Sequence, residues 1–173
     1  MRKLALLASL ALLAGASLVG SVAFAGGDRD DGRFPARLSG YNEVPPISTT
    51  GSGSFKARID DDVIRFRLSY SDLEGGPVGA AHIHFGQRSV NGGVVTFLCG
   101  GGSKPDACPA EGTVTGTITP DDVTSTPDAT AQGIASGEFD ELVRAMENHA
   151  TYVNVHTQTF PSGEIRGDIR AKD

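Results

Sequence analysis

Apolar and polar residues alternate with a period of two along most of this chain. The cleanest run sets Ile64, Phe66, Leu68 and Tyr70 against Arg65, Arg67 and Ser69. Phe55, Ala57 and Ile59 alternate with Lys56, Arg58 and Asp60, and Phe34, Ala36 and Leu38 with Pro35 and Arg37. Val114, Gly116 and Ile118 alternate with Thr115, Thr117 and Thr119. Successive side chains of a strand take opposite faces, so each run predicts a half-buried strand. Val94 to Leu98 is continuously apolar and predicts a fully buried one. Segments 81–86, 151–157 and 165–169 complete the set, with Gly, Pro, Asn and Asp between the runs. Seven to nine short strands predict an all-β domain, an antiparallel Greek-key sandwich or flattened barrel.

One helix interrupts the pattern, over about 137–148 by its apolar spacing. Phe139, Leu142, Val143 and Met146 recur at i, i+3, i+4 and i+7. Ser136 is placed to cap it, and Glu138, Asp140 and Glu141 suit the positive end of its dipole. Its stripe is expected to cover one end of the β-structure.

The first 25 residues stand outside this pattern. Arg2 and Lys3 precede an apolar run from Leu4 to Val22, and Ala23-Phe24-Ala25 is a small-x-small cleavage site. These are the parts of a secretory signal peptide. A membrane anchor is the alternative, since the run is near spanning length; the cleavage motif and the polar remainder favour removal. Residues 26–33 then read as a disordered linker, and 34–171 as one domain. The expected location is secreted or periplasmic, with no membrane contact after cleavage. Losing Arg2 and Lys3 takes the formal charge from −6 to −8. An acidic domain without a basic cluster argues against nucleic acid and anionic membranes as partners; an extracellular protein partner is the expectation of the alternative in which the domain is an interaction module.

Export bears on Cys99 and Cys108, the two cysteines. In an oxidising compartment they are expected to form a disulfide across a Gly-rich loop. A thiolate metal site is the alternative, but the spacing is not that of a C-x-x-C motif.

Three of the four histidines fall into an arrangement with chemical meaning. His82 and His84 lie one residue apart on a strand, so they face the same way, roughly 7 Å apart at Cα. Ile83 and Phe85 point oppositely, into a core. On the strand 151–157, Tyr152, Asn154 and His156 share one face, with Val153 and Val155 on the other. If the two strands are neighbours, His82, His84 and His156 converge on an outward-facing patch suited to copper or zinc. Proton competition would weaken such a site as pH falls through the ordinary histidine range, around 6–7. The bland alternative is that these histidines only hydrogen-bond loop backbone.

Three motifs resemble those of the CHRD domain, first named in chordin. Leu38-Ser39-Gly40-Tyr41-Asn42-Glu43-Val44-Pro45-Pro46 is similar to its opening motif, and Ala81-His82-Ile83-His84-Phe85-Gly86 to its middle one. Tyr152-Val153-Asn154-Val155-His156-Thr157 with Pro161-Ser162-Gly163-Glu164-Ile165-Arg166-Gly167 is similar to its closing motif. The resemblance runs from about Phe34 to Ile169. It implies an extracellular module and no settled activity. A narrower resemblance joins His82-Ile83-His84-Phe85-Gly86 to the copper-ligand strand of copper/zinc superoxide dismutase. It implies copper ligation by His82 and His84, with His156 as the later strand ligand. That enzyme's zinc loop and bridging histidine have no counterpart here, so dismutation does not follow.

Around the triad, Glu43, Asn154 and His149 are candidates to hold or orient the ligand rings. Glu43 is placed to orient a ligand histidine, or to pair with Arg166, Arg65 or Arg67; Asn154 to position His156. His149 follows the helix, where capping is the simpler role and a fourth ligand the sharper one. Glu164, Arg166, Asp168 and Arg170 alternate on one strand and predict a solvated ladder of weak ion pairs. There is no Gly-x-Ser-x-Gly elbow and no phosphate-binding glycine loop, so the sequence assigns no catalytic residue.

Overall fold

The alternating runs of the N-terminal half fold as a meander: β1 (Arg33–Ser39), β2 (Ser52–Asp60) and β3 (Val63–Ser71) pair antiparallel in sequence order. The structure, a computed structural model, describes residues 33–172; the expected signal peptide and the linker up to residue 32 lie outside them. β4 (Val78–Phe85), β5 (Gly93–Cys99), β6 (Gly112–Ile118), β7 (Thr151–Thr157) and β8 (Ile165–Asp168) complete one eight-stranded sheet. Its order is β5-β4-β7-β8-β1-β2-β3-β6, with every neighbouring pair antiparallel. The sheet curls until its edges β5 and β6 approach each other, giving a nearly closed barrel.

The barrel is filled by the faces the alternation marked. Phe55, Ile64, Leu68, Ile83, Val153, Val155 and Ile165 are fully buried, and Phe55 and Phe66 stack at 6.3 Å. Phe85 is half-buried. Each inward Phe, Ile or Leu contributes about 1.5–3 kcal/mol from burial.

Short helices add apolar side chains to this core. α1 (Pro127–Ala131) was not legible as a strand break alone, although Thr126-Pro127-Asp128 is a helix-start pattern. Ala129 is buried where β5 begins; a Cβ on Gly93 would sit 2.1 Å from the Ala129 nitrogen, so this contact requires glycine. α2 (Phe139–Glu147) buries Phe139, Leu142, Ala145 and Met146. Val143 stays half-buried. The expected Ser136 cap is not used. Gly137 turns at φ 86° and delays the helix, so Glu138 holds the N-cap position. Its carboxylate accepts from the Ala135 N–H at 2.7 Å, closing the preceding turn instead.

The Cys99–Cys108 disulfide is formed, tying the end of β5 to the loop before β6. Gly101 and Gly102 lie flat on the Phe97 ring inside that loop. Reduction is expected to destabilise the domain by about 2–3 kcal/mol. Urea unfolding with and without reductant checks this; equal midpoints would remove the disulfide from the stabilising set.

The predicted solvated ladder on β8 is not what the described residues form, and of its members only Arg166 and Asp168 pair, at 3.9 Å. Glu164 and Arg166 are fully buried rather than solvated. β8 sits in the middle of the sheet, and loops 40–51, 72–77 and 86–92 fold over its polar face. A strand face that reads as polar is here an internal hydrogen-bonding face.

Candidate metal centre

β4 and β7 are direct neighbours, and their register sets His82 opposite Asn154, His84 opposite Tyr152, and Ala80 opposite His156. The two strands therefore bring His82, His84 and His156 onto one face. Ring centroids are 4.6 Å apart for His82–His156, 5.5 Å for His82–His84 and 6.0 Å for His84–His156. One nitrogen from each ring lies within 4.8 Å of the other two.

The hydrogen bonds leave those nitrogens free. His84 Nδ1 is 2.9 Å from the Gly92 carbonyl, and His156 Nδ1 is 3.0 Å from the Pro161 carbonyl. A carbonyl only accepts, so each Nδ1 carries the proton and each Nε2 keeps its lone pair. His84 Nε2, His156 Nε2 and His82 Nδ1 are buried and have no hydrogen-bond partner. Three unpartnered basic nitrogens in one place is costly unless something else satisfies them.

Burial also holds the rings neutral. Desolvation, with the mutual repulsion of the three rings behind it, pushes His82 down to about 3. Desolvation takes His84 to about 4, against the Gly92 bond, and His156 is lowered for the same main reason. Proton competition therefore moves well below the 6–7 expected for exposed imidazoles. The site is also less open than an outward-facing patch. His84 is 8% exposed and the other two are half-buried, because the loops carrying Gly92 and Pro161 fold across the face. Access runs through a shallow groove against His82 and His156, lined by Pro77, Val78, Ala80 and Pro161.

Aromatic walls fix the rings. Phe97 meets His82 edge-on at 4.4 Å, and Tyr152 stacks on His84 at 4.6 Å and 7°. Arg166 lies over the Tyr152 ring, 3.4 Å from its centroid. A guanidinium there cannot share a face with the His84 ring, so Tyr152 is sandwiched between them. The Tyr152 hydroxyl accepts from the Gly92 N–H at 3.2 Å, and one peptide segment thus anchors both rings.

Glu43 and Asn154 lie beside this assembly, bonded to each other rather than to an imidazole. Asn154 Nδ2 donates to Glu43 Oε1 at 2.6 Å. Burial raises the Glu43 carboxyl to about 7, outweighing the Arg166 charge and the Asn154 bond. Of the arginines considered for it, only Arg166 acts on it. His149 is exposed at the end of α2, in the left-handed conformation at φ 56°. Its Nδ1 accepts from the Ala171 N–H at 3.3 Å, and it takes no part in the triad. The orienting carbonyls of Gly92 and Pro161 escaped the sequence reading, because backbone acceptors carry no residue signature.

The family model for the CHRD domain matches residues 34–169. The chain belongs to the CHRD domain family. No curated protein and no solved structure matches it. The three motifs of this CHRD domain meet at one place. The opening motif supplies Glu43, the middle one His82 and His84, and the closing one Asn154, His156 and Arg166. A disulfide and this family are compatible with an extracellular location. Among the described residues no helix is long and apolar enough to cross a membrane.

Proposed function

We propose that this CHRD-domain protein is exported by cleavage after Ala25 and binds one copper or zinc ion through His82, His84 and His156. The observation that carries this reading is that each of the three rings has a buried, unpartnered nitrogen and that one nitrogen of each ring lies within 4.8 Å of the other two. Neutral imidazole suits both ions, and metal–nitrogen bonds of about 2 Å need only small ring movements from the present spacing. The Gly92 and Pro161 carbonyls serve as the outer partners that fix tautomer and ring orientation in such sites.

Calorimetry at neutral pH is expected to find one copper per chain. Loss of an outer-shell partner alone costs about 10–100-fold in affinity, so His84→Ala should lose at least about a hundredfold. His149→Ala should leave binding unchanged. If wild type and His84→Ala bind copper equally weakly, the histidines are structural and the domain is an extracellular interaction module. Superoxide turnover by the copper-loaded protein tests the dismutase-like alternative separately.

A further inference from the structure

We propose that the outer face of β1, β2 and β3 binds an extended acidic polysaccharide. This goes beyond the metal-binding reading and does not depend on it. Loops cover the triad and the polar face of β8, but this half of the sheet is bare. Arg37, Lys56, Arg58, Arg65 and Arg67 stand on it, all exposed.

Strand register gathers them. Lys56 lies opposite Arg67 and Arg58 opposite Arg65, and Arg37 lies opposite Ser54, one same-face position from Lys56. Neighbouring strands are about 4.8 Å apart and same-face residues of one strand about 7 Å. The sequence shows no basic cluster, because the five cations are spread singly through three alternating runs. Pairing turns that alternation into a patch.

The fold gains nothing from it. Like charges set directly opposite each other destabilise an antiparallel pair. Asp60 neutralises one corner, 2.8 Å from Arg58 and 3.5 Å from Arg65, and Asp61 and Asp62 stand in the turn beyond it. No ion pair among the described residues includes Arg37, Lys56 or Arg67. The chain as a whole carries a formal charge of −6, so this face runs against its overall sign.

The rest of the face indicates the kind of anion. Ser54, Ser69 and Thr113 form the row beside Arg37, and Thr115 and Thr117 end the two cationic rows. The Ser69 and Thr113 hydroxyls are 2.8 Å apart, and Arg67 Nη2 donates to Thr113 Oγ1 at 3.4 Å. Hydroxyls beside guanidinium forks match sugar hydroxyls beside carboxylate or sulfate groups. Exposed apolar anchors are lacking here. The exposed large hydrophobic residues, Tyr41 and Val90, belong to loops 40–51 and 86–92. A protein partner would use such anchors, a single-stranded nucleic acid would stack its bases on aromatic rings, and a bilayer would take apolar side chains. A polymer of acidic sugars requires none of these.

The test passes the mature chain at pH 7 over immobilised polygalacturonate and, separately, dextran sulfate. Binding to either at about 50 mM salt, lost by about 0.5 M, supports the proposal, and the tighter surface names the acid group. Lys56→Gln with Arg67→Gln should weaken binding at least about tenfold. Its melting temperature should hold or rise, because an opposed like-charge pair is removed. Arg37→Gln, read the same way, serves if that variant does not fold. Arg88→Gln with Arg144→Gln removes as much charge from exposed positions off this face and should leave binding unchanged. No binding to either surface, or equal weakening by the two double variants, overturns the proposal. Polyglutamate or double-stranded DNA competing as well as the polysaccharide at equal charge overturns the choice of occupant, and the proposal with it.

Discussion

Glu164→Ala is expected to destabilise the domain by about 3 kcal/mol or more, a fall in melting temperature of about 10 °C. Glu164 is fully buried, and no cationic side chain among the described residues forms an ion pair with it. Its charge is held by four donors instead. Oε1 accepts from Thr49 Oγ1 at 2.7 Å and the Glu74 N–H at 2.7 Å. Oε2 accepts from the Gly75 N–H at 3.0 Å and Thr157 Oγ1 at 2.8 Å. Burial alone would raise the carboxyl, but the bonds from Thr49, Glu74, Thr157 and Gly75 win and hold it below its ordinary 4.5. Truncation leaves those four donors facing a cavity.

The direction of that shift fixes a pH dependence. A carboxyl whose folded pKa lies below its unfolded value contributes stability that is complete above about 4.5. That stability is lost as pH falls through the folded value. Glu164→Gln removes the ionisation, so the stability gap between wild type and variant should be widest at pH 7 and shrink below 4.5. Urea titrations at pH 7 and pH 3 measure both gaps. Gaps of equal size would mean the carboxylate's charge contributes nothing. The buried histidines act over a higher range. Their lowered pKa values cost stability as pH falls below about 6.5, and this is common to wild type and variant.

Glu43 shows why the same residue type behaves in opposite ways within one fold. Its carboxylate has the Asn154 amide and the Val44 backbone as hydrogen-bond partners, where Glu164 has two hydroxyls and two peptide N–H groups. Desolvation therefore wins at Glu43 and loses at Glu164. Sequence gives no access to this difference, because it depends on loops 49–51 and 72–77 arriving over one carboxylate and not the other.

The same limit separates what was readable from what was not. Period-two alternation marked the half-buried strands, since it is the physical cause of one face being buried, and the continuous apolar run from Val94 to Leu98 marked β5. Matched faces at Ile83 and Val153 made β4 and β7 candidate neighbours without fixing it, and their pairing brings His82, His84 and His156 together. The polar face of β8 was misread for the same reason that β4 was read well. Alternation tells which residues share a face, and does not tell whether that face meets water or a covering loop. Glu164 and Arg166 lie under such loops, and so does His84, which made the expected open patch a recessed site. Ser136 was misplaced as a cap because the turn through Gly137, not the capping preference of serine, sets where α2 starts.

Arg166→Ala should be as damaging as any single substitution in this domain, at about 3–5 kcal/mol. The guanidinium pins segment 87–91 through Gln87 O at 3.2 Å, Val90 O at 2.9 Å and Asn91 Oδ1 at 3.3 Å. It also covers the Tyr152 face opposite His84. Truncation strands three acceptors, opens a cavity beside the ring and frees the segment that leads to Gly92. Arg166→Lys should recover little, since one ammonium cannot span the fork of donors or stack flat on a ring. The loop effect can be separated from the global one by hydrogen exchange. The Gly92 N–H is bonded to the Tyr152 hydroxyl, so its protection reports on this segment alone. In Arg166→Lys, protection at Gly92 should fall by more than at Ile83 or Val153 in the barrel centre. If all three fall in step, Arg166 supports the fold as a whole and does not pin the loop that orients His84.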